Sequence, residues 1–312
     1  MRMPESWKGR VRVPAIAAPM FLVSNPKLVA ACCKGGVVGT VPALNQRSTE
    51  AFVAWLEELQ GTLSPQDAPY GVNLIVHKSN PRLQADLAQV VKHKVPLVIT
   101  SLGAVAEVVD AVHSYGGLVF HDIVSLRHAE KAAQAGVDGL IPVAAGAGGH
   151  AGTINPFALM PEIRSVFEGY IALSGCIGSG AGIAAAQALG ADFAYLGTRF
   201  IGTQEANASD SYKQMLLDAR AADIVYTAHI SGVPASFLRE SIVRAGLDPD
   251  KLQAKTGIDF GAELSAGKAW KDIWSAGQGA GAIRDLPTAG ELCERLASEY
   301  RETCRNLASA GS

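Results

Sequence analysis

Between Gly139 and Gly152 the chain reads G-L-I-P-V-A-A-G-A-G-G-H-A-G. An apolar run of strand character opens into a loop that sets Gly146, Gly148, Gly149 and Gly152 around one polar side chain, His150. Glycine lets a backbone approach a ligand closely and take positive φ. Histidine is the side chain suited to share a proton near neutral pH. The combination predicts a flat ligand under the glycines with His150 above it. Alone, the loop is equally compatible with a glycine-rich turn whose histidine faces water, because glycine motifs are weak signals.

A second candidate lies further on. Ser174-Gly175-Cys176-Ile177-Gly178-Ser179-Gly180 ends one apolar run and Gly197-Thr198-Arg199 ends the next. Small residues at two successive strand ends, with a helix starting after Gly178, predict a phosphate cradle. Backbone N–H groups and a helix N-terminus would supply the donors, and no basic side chain is required. Other strand-end positions are Met20, Asn73, Thr100-Ser101 and His121-Asp122. His77, His93, His113 and His229 read as surface or cap residues, and His128 as structural. His121 has a lesser claim on the site. Trp55 and Tyr170 read as packing residues, Arg199 as half of an ion pair outside the pocket, and Asp138 and Asp192 as turn residues.

The elements that must position these groups alternate. Apolar runs are predicted as strands at Pro14–Met20, Val37–Val41, Tyr70–Val76, Pro96–Thr100, Leu118–Asp122, Gly139–Val143, Tyr170–Ser174 and Phe193–Gly197. Helical stretches separate them, the first opening on an Asn25 cap with Pro26 in its first turn. Ala132–Leu140 and Ala185–Ala194 repeat one unit of alanine-rich helix, glycine stop, aspartate turn and strand. Strand–helix alternation implies a parallel sheet, and continuously apolar strands imply burial on both faces. Eight such units predict a (β/α)8 TIM barrel, an α/β fold whose function sits at the C-terminal strand ends. The pattern breaks after the eighth strand. The expected division is a barrel over 1–204, a helical cap or substrate domain over 205–275, and a segment over 276–312 whose closing helix, Leu286–Leu307, returns to the barrel.

The bulk composition narrows the function. The 312 residues carry a net charge of −2, with 18% charged and 48% hydrophobic residues. No basic excess points to nucleic acid or an anionic membrane surface. No apolar run has membrane-spanning length, and Met1–Arg12 is too charged for a signal peptide, so a soluble cytoplasmic protein is expected. The five cysteines match neither a disulfide framework nor a zinc site, and no metal is expected.

The ordered set A-P-M, Y-G-V-N-L, A-G-A-G-G-H-A-G, S-G-C-I-G-S-G, L-G-T-R-F and W-S-A-G-Q resembles the nitronate monooxygenase family, once called 2-nitropropane dioxygenases. The resemblance covers nearly the whole chain. It implies a TIM barrel that binds FMN, with a helical substrate domain. Carried over residue by residue, it sets Met20 and Asn73 against the flavin and Gly148 and Gly149 near its ring. Gly175, Cys176, Gly197 and Thr198 would surround the phosphate, Ser174 would also contact the cofactor, and Gln278 would lie near the flavin edge. His150 takes the place of the family's active-site histidine. The implied substrates are an alkyl nitronate and molecular oxygen, and the products a carbonyl compound and nitrite. A homodimer is compatible with these features.

Two positions depart from the family pattern. Cys176 stands where the family often has a second glycine, which leaves a backbone donor intact. Asp122 stands where some members carry a lysine placed to support negative charge on the flavin. An ionised carboxylate there would disfavour that charge unless it is protonated or turned away. Two other functions remain open: an NAD(P)H-dependent FMN reductase of enoyl thioesters or quinones, and a non-catalytic barrel that binds a phosphorylated metabolite.

Overall fold

The structure is a computed structural model that describes residues 2–252 and 272–310. Eight strands close a parallel barrel. They are β1 (Ala15–Ala17), β2 (Val38–Pro42), β3 (Tyr70–Ile75), β4 (Leu97–Ser101), β5 (Leu118–Ile123), β6 (Gly139–Pro142), β8 (Tyr170–Ser174) and β9 (Phe193–Leu196). Neighbours in sequence pair with each other, and β9 closes on β1 with Ala15 opposite Ala194 and Ala17 opposite Leu196. β7 (Gly149–His150) lies between β6 and β8 but outside the barrel.

The helices between strands are α1 (Pro26–Lys34), α2 (Thr49–Thr62), α3 (Leu83–Lys92), α4 (Ala106–His113), α5 (Leu126–Gln134), α6 (Pro156–Val166) and α7 (Gly180–Ala188). Asn25 caps α1 as expected: its Oδ1 accepts from Leu28 N at 3.1 Å, and Pro26 opens the helix. The first strand is shorter than expected. The chain turns at Met20–Ser24, where Ser24 Oγ accepts from Met20 N at 2.9 Å.

The apolar runs are buried on both faces because the barrel has two cores. Val41, Val72, Val98 and Val119 pack outward under the helices. Ile16, Val38, Ile99, Phe120, Ile141 and Phe193 fill the interior. Trp7 closes the N-terminal end of the barrel, its ring centroid 5.3 Å from Phe193 and 6.2 Å from Phe120. Tyr170 joins that aromatic plug, stacked on Phe120 at 6.1 Å. Asp192 does more than turn the chain: buried, it accepts from Ile171 N at 2.9 Å and from Arg164 at 2.6 Å.

After β9 the chain forms α8 (Thr198–Ile201), α9 (Asp210–Asp218), β10 (Ile224–Thr227), β11 (Ala235–Leu238) and α10 (Arg239–Arg244). The cap is therefore not purely helical. β10 and β11 form an antiparallel hairpin, and β11 pairs antiparallel with β7, Ala235 opposite His150 and Ser236 opposite Gly149. The part of the expected cap between 253 and 271 lies outside the described residues.

The closing helix α11 (Ala289–Ala310) packs on α7 and α1. It starts later than expected because Thr288 caps it, donating its backbone N–H to Glu291 at 2.8 Å while its hydroxyl accepts from Glu291 N at 3.2 Å. No described helix is long and apolar enough to cross a membrane.

Candidate active site

The C-terminal strand ends open on a cavity of about 1350 Å³. Every sequence-predicted site residue but one lines it: Met20 after β1, Asn73 on β3, Asp122 on β5, then Gly148, Gly149 and His150 after β6. Ser174, Gly175 and Cys176 follow from β8, and Gly197 and Thr198 from β9. Gln278 is set one layer back. Its Oε1 lies 3.9 Å from Cys176 Sγ, while its neighbours Gly277 and Gly279 line the cavity.

Residues far apart in sequence hold the glycine loop in place. Gly149 takes a φ of +69°, and its N–H donates to Ser275 Oγ at 2.7 Å. Ser275 Oγ donates onward to Ser236 O at 2.7 Å, so one hydroxyl joins the loop to β11. Tyr212 of α9 donates to Ser275 O at 2.5 Å, and its ring stacks on Trp274 at 4.8 Å. Gln278 N donates to Gly146 O at 2.9 Å, and Gly277 N to Thr198 Oγ1 at 2.9 Å. A Cβ at Gly148 would stand 2.9 Å from Gly277 N, so only glycine allows the two backbones to meet. Burial pushes the His150 imidazole down to about 4, so it is neutral at pH 7.

Asp122 ends a polar chain. Asn73 Nδ2 donates to Ser101 Oγ at 2.8 Å, and Ser101 Oγ to Asp122 Oδ2 at 2.5 Å. Asp122 Oδ1 is buried without a hydrogen-bond partner among the described residues. Burial raises this carboxyl to about 6, partly opposed by the Ser101 hydrogen bond. It therefore carries its proton over part of the range in which an ordinary aspartate is ionised.

The phosphate expectation needs one amendment. The start of α7 is already occupied: Gly180 N donates to Glu299 Oε2 of α11 at 2.8 Å, and Gly182 N to Ser179 Oγ at 3.1 Å. Two of its N–H donors are thus used, and an acid stands beside it. Gly175, Cys176, Gly178 and Gly197 line the cavity instead. Cys176 takes a φ of +57°, a conformation glycine adopts freely and a larger residue adopts at a cost of about 1 kcal/mol.

His121 has a stronger claim on the site than its place in the sequence suggests. It lines the cavity, and its Nδ1 lies 2.8 Å from Thr100 Oγ1. Burial lowers it to about 4. His128 and Trp55, read as structural and packing residues, also line the cavity. Arg199 lines it too, although its guanidinium is bonded to Asp285 at 2.8 Å as expected. His77, His93, His113 and His229 stand outside it. Ser275 was missed as a positioning group, although it lies inside the W-S-A-G-Q stretch.

The nitronate monooxygenase family model matches residues 83–299. The chain belongs to the nitronate monooxygenase family. It is an enzyme, a flavin-dependent oxidoreductase. A nitronate monooxygenase of Paraburkholderia phytofirmans is 28% identical, the match covering 94% of each protein. A nitroalkane oxidase structure from Streptomyces ansochromogenes superimposes with a TM-score of 0.82 at 26% identity, covering 97% of this chain and 100% of that one. A third relative, from Rhodococcus jostii, is 25% identical with 93% of each chain covered. It is a (3aS,4S,5R,7aS)-5-hydroxy-7a-methyl-1-oxo-octahydro-1H-indene-4-carboxyl-CoA dehydrogenase. The chain's relatives are thus named for different substrates.

Proposed function

We propose that this member of the nitronate monooxygenase family binds FMN and oxidises alkyl nitronates with molecular oxygen to a carbonyl compound and nitrite. The observation that carries the reading is the pairing of Gly149–His150 with Ala235–Ser236, which fixes a neutral imidazole at the wall of a glycine-lined cavity.

The residues fit the cofactor. The glycine and small-residue wall formed after β6, β8 and β9 leaves room for a flat ring and its phosphate, with Gly175, Cys176, Gly197 and Thr198 around the latter. Gly148 and Gly149 would lie near the ring, and Met20 and Asn73 against it. Asp122 Oδ1 is a buried polar atom in want of a partner, and a flavin ring edge offers both donors and acceptors. Bound FMN would supply the electron acceptor for the nitronate, an electron-rich anion. His150 holds a hydrogen bond to the nitro oxygens without placing a full positive charge beside them. Asn207, Ser209, Tyr212, Trp274 and Ser275 line the cavity from beyond the barrel and would face the substrate. Asn73 and Ser101 orient the Asp122 carboxyl.

The test is direct. The purified protein should be yellow, acid should release FMN and not FAD, and anaerobic addition of a nitronate should bleach it. NAD(P)H should leave the spectrum unchanged. Bleaching by NAD(P)H and not by the nitronate would favour the second reading, a reductase of enoyl thioesters or quinones, which the CoA-thioester dehydrogenase among the relatives supports.

A further inference from the structure

The wall of the cavity is divided. The half formed by the segments after β6, β8 and β9 is rich in glycine, with Gly148, Gly175 and Gly197 beside the polar side chains of His150, Thr198 and Arg199. The half formed after β1, β2 and β4 carries large apolar side chains: Phe21, Leu22, Leu44, Trp55 and Leu102. Two of these are unusual. Leu22 and Leu102 have φ values of 63° and 66° and are 36% and 42% exposed. A leucine in the left-handed region is strained, and an exposed one gains little from burial to offset that strain. At Leu22 the conformation is held from both sides: its N–H donates to Asn45 Oδ1 at 2.9 Å, and its carbonyl accepts from Asn207 Nδ2 at 2.9 Å. The chain thus keeps two apolar side chains open at a cavity wall where glycine would be the relaxed choice.

The volume points the same way. A pocket for one drug-sized ligand holds roughly 300–1000 Å³. This cavity, at about 1350 Å³, exceeds that and so has room for a substrate beside FMN. We infer that the apolar half is a subsite for an extended hydrocarbon chain, and that the enzyme's substrates are anions carrying a medium-length alkyl tail rather than the smallest nitronates. Leu22 and Leu102 are its specificity-determining residues. The inference rests on the proposed function only in giving the glycine half to the flavin.

Straight-chain carboxylates test it, because their planar two-oxygen anion resembles the nitronate head and they do not turn over. Butanoate, hexanoate, octanoate and decanoate are titrated into FMN-loaded protein by calorimetry. Burial of each methylene should tighten Kd about fourfold, the fold-change for transferring one CH₂ out of water. In Leu22→Gly and Leu102→Gly the gradient should flatten while butanoate binds as before and Tm does not fall, since glycine takes these φ values freely. Should a glycine loosen its loop and lower Tm, Leu22→Asn and Leu102→Asn, which also tolerate positive φ, carry the same test. A Kd independent of chain length overturns the inference, as does a gradient unchanged in both variants. A steep gradient in a protein that ignores nitronates would leave the subsite standing and remove the proposed reaction.

Discussion

Gly149 and Ser275 are joined by a 2.7 Å hydrogen bond from the glycine N–H to the serine hydroxyl, across 126 positions of sequence. The same hydroxyl donates to Ser236 O, so the loop before His150, the hairpin strand β11 and the segment leading to Gln278 meet at one atom. The imidazole is therefore positioned by parts of the chain that are not in the barrel.

Ser275→Ala removes that junction. It leaves the Gly149 N–H and the Ser236 carbonyl short of a partner, which costs about 1–3 kcal/mol. Urea denaturation should show the loss. FMN occupancy should hold and kcat should drop, because the loop rather than the phosphate wall has loosened. Ser275→Thr, which keeps the hydroxyl, should recover most of the rate. An alanine variant with unchanged kcat would mean that β7–β11 pairing suffices without the bridge.

His150→Asn should keep FMN and lose turnover, with kcat with a nitronate falling by about 10²-fold. Burial holds the imidazole near 4, so the wild-type kcat profile should show no acid limb near 6.5 from this group. Finding such a limb, and its disappearance in the variant, would show an imidazolium at work instead.

Gly197→Glu should fold normally and purify without flavin. A Cβ there would lie 3.7 Å from Ala18 Cβ and 3.8 Å from Met20 Sδ, ordinary contact, so the backbone tolerates a side chain. The carboxylate would extend into the cavity, where both its bulk and its charge oppose a phosphate. Wild-type circular dichroism with no visible flavin absorption would support this; full FMN occupancy would exclude β9 from the phosphate wall.

Asp122→Asn should change the pH dependence of stability in a defined direction. The folded carboxyl is raised from 3.8 to about 6, so its contribution to stability is fully present below 3.8 and lost as pH rises through 6. The asparagine variant should therefore gain on wild type as pH rises, by about 3 kcal/mol at pH 8, and lose the advantage near pH 4. Urea midpoints at the two pH values decide it. An advantage that is constant with pH would mean that Asp122 ionises normally.

The barrel was legible because its signal is local and repeated. Each apolar run, such as Leu97–Ser101, is followed by a helix-length segment, and burial on both faces leaves no polar alternation to confuse the period. The strand ends follow from that count, and so the cavity positions of Asn73, Asp122, Gly175 and Gly197 could be named in advance. Asn25, Pro26 and Gly35 delimit α1 through the chemistry of single residues.

What only the tertiary structure decided are relationships between distant segments. Two residues, Gly149 and His150, are too short a run to read as a strand; they become one because β11 supplies the partner hydrogen bonds. The hairpin of β10 and β11 has strands of four residues each, too brief for periodicity to show. Glu299 reaches the start of α7 only because α11 packs there, and that contact takes up one N–H donor of the helix start that was expected to face a phosphate. The positive φ of Leu22, Leu102 and Cys176 has no sequence signature, since none is a residue that favours it. Composition and period determine where the chain can bury apolar surface. Which polar atoms and strained side chains then face one cavity is set by contacts between residues that the linear order keeps far apart.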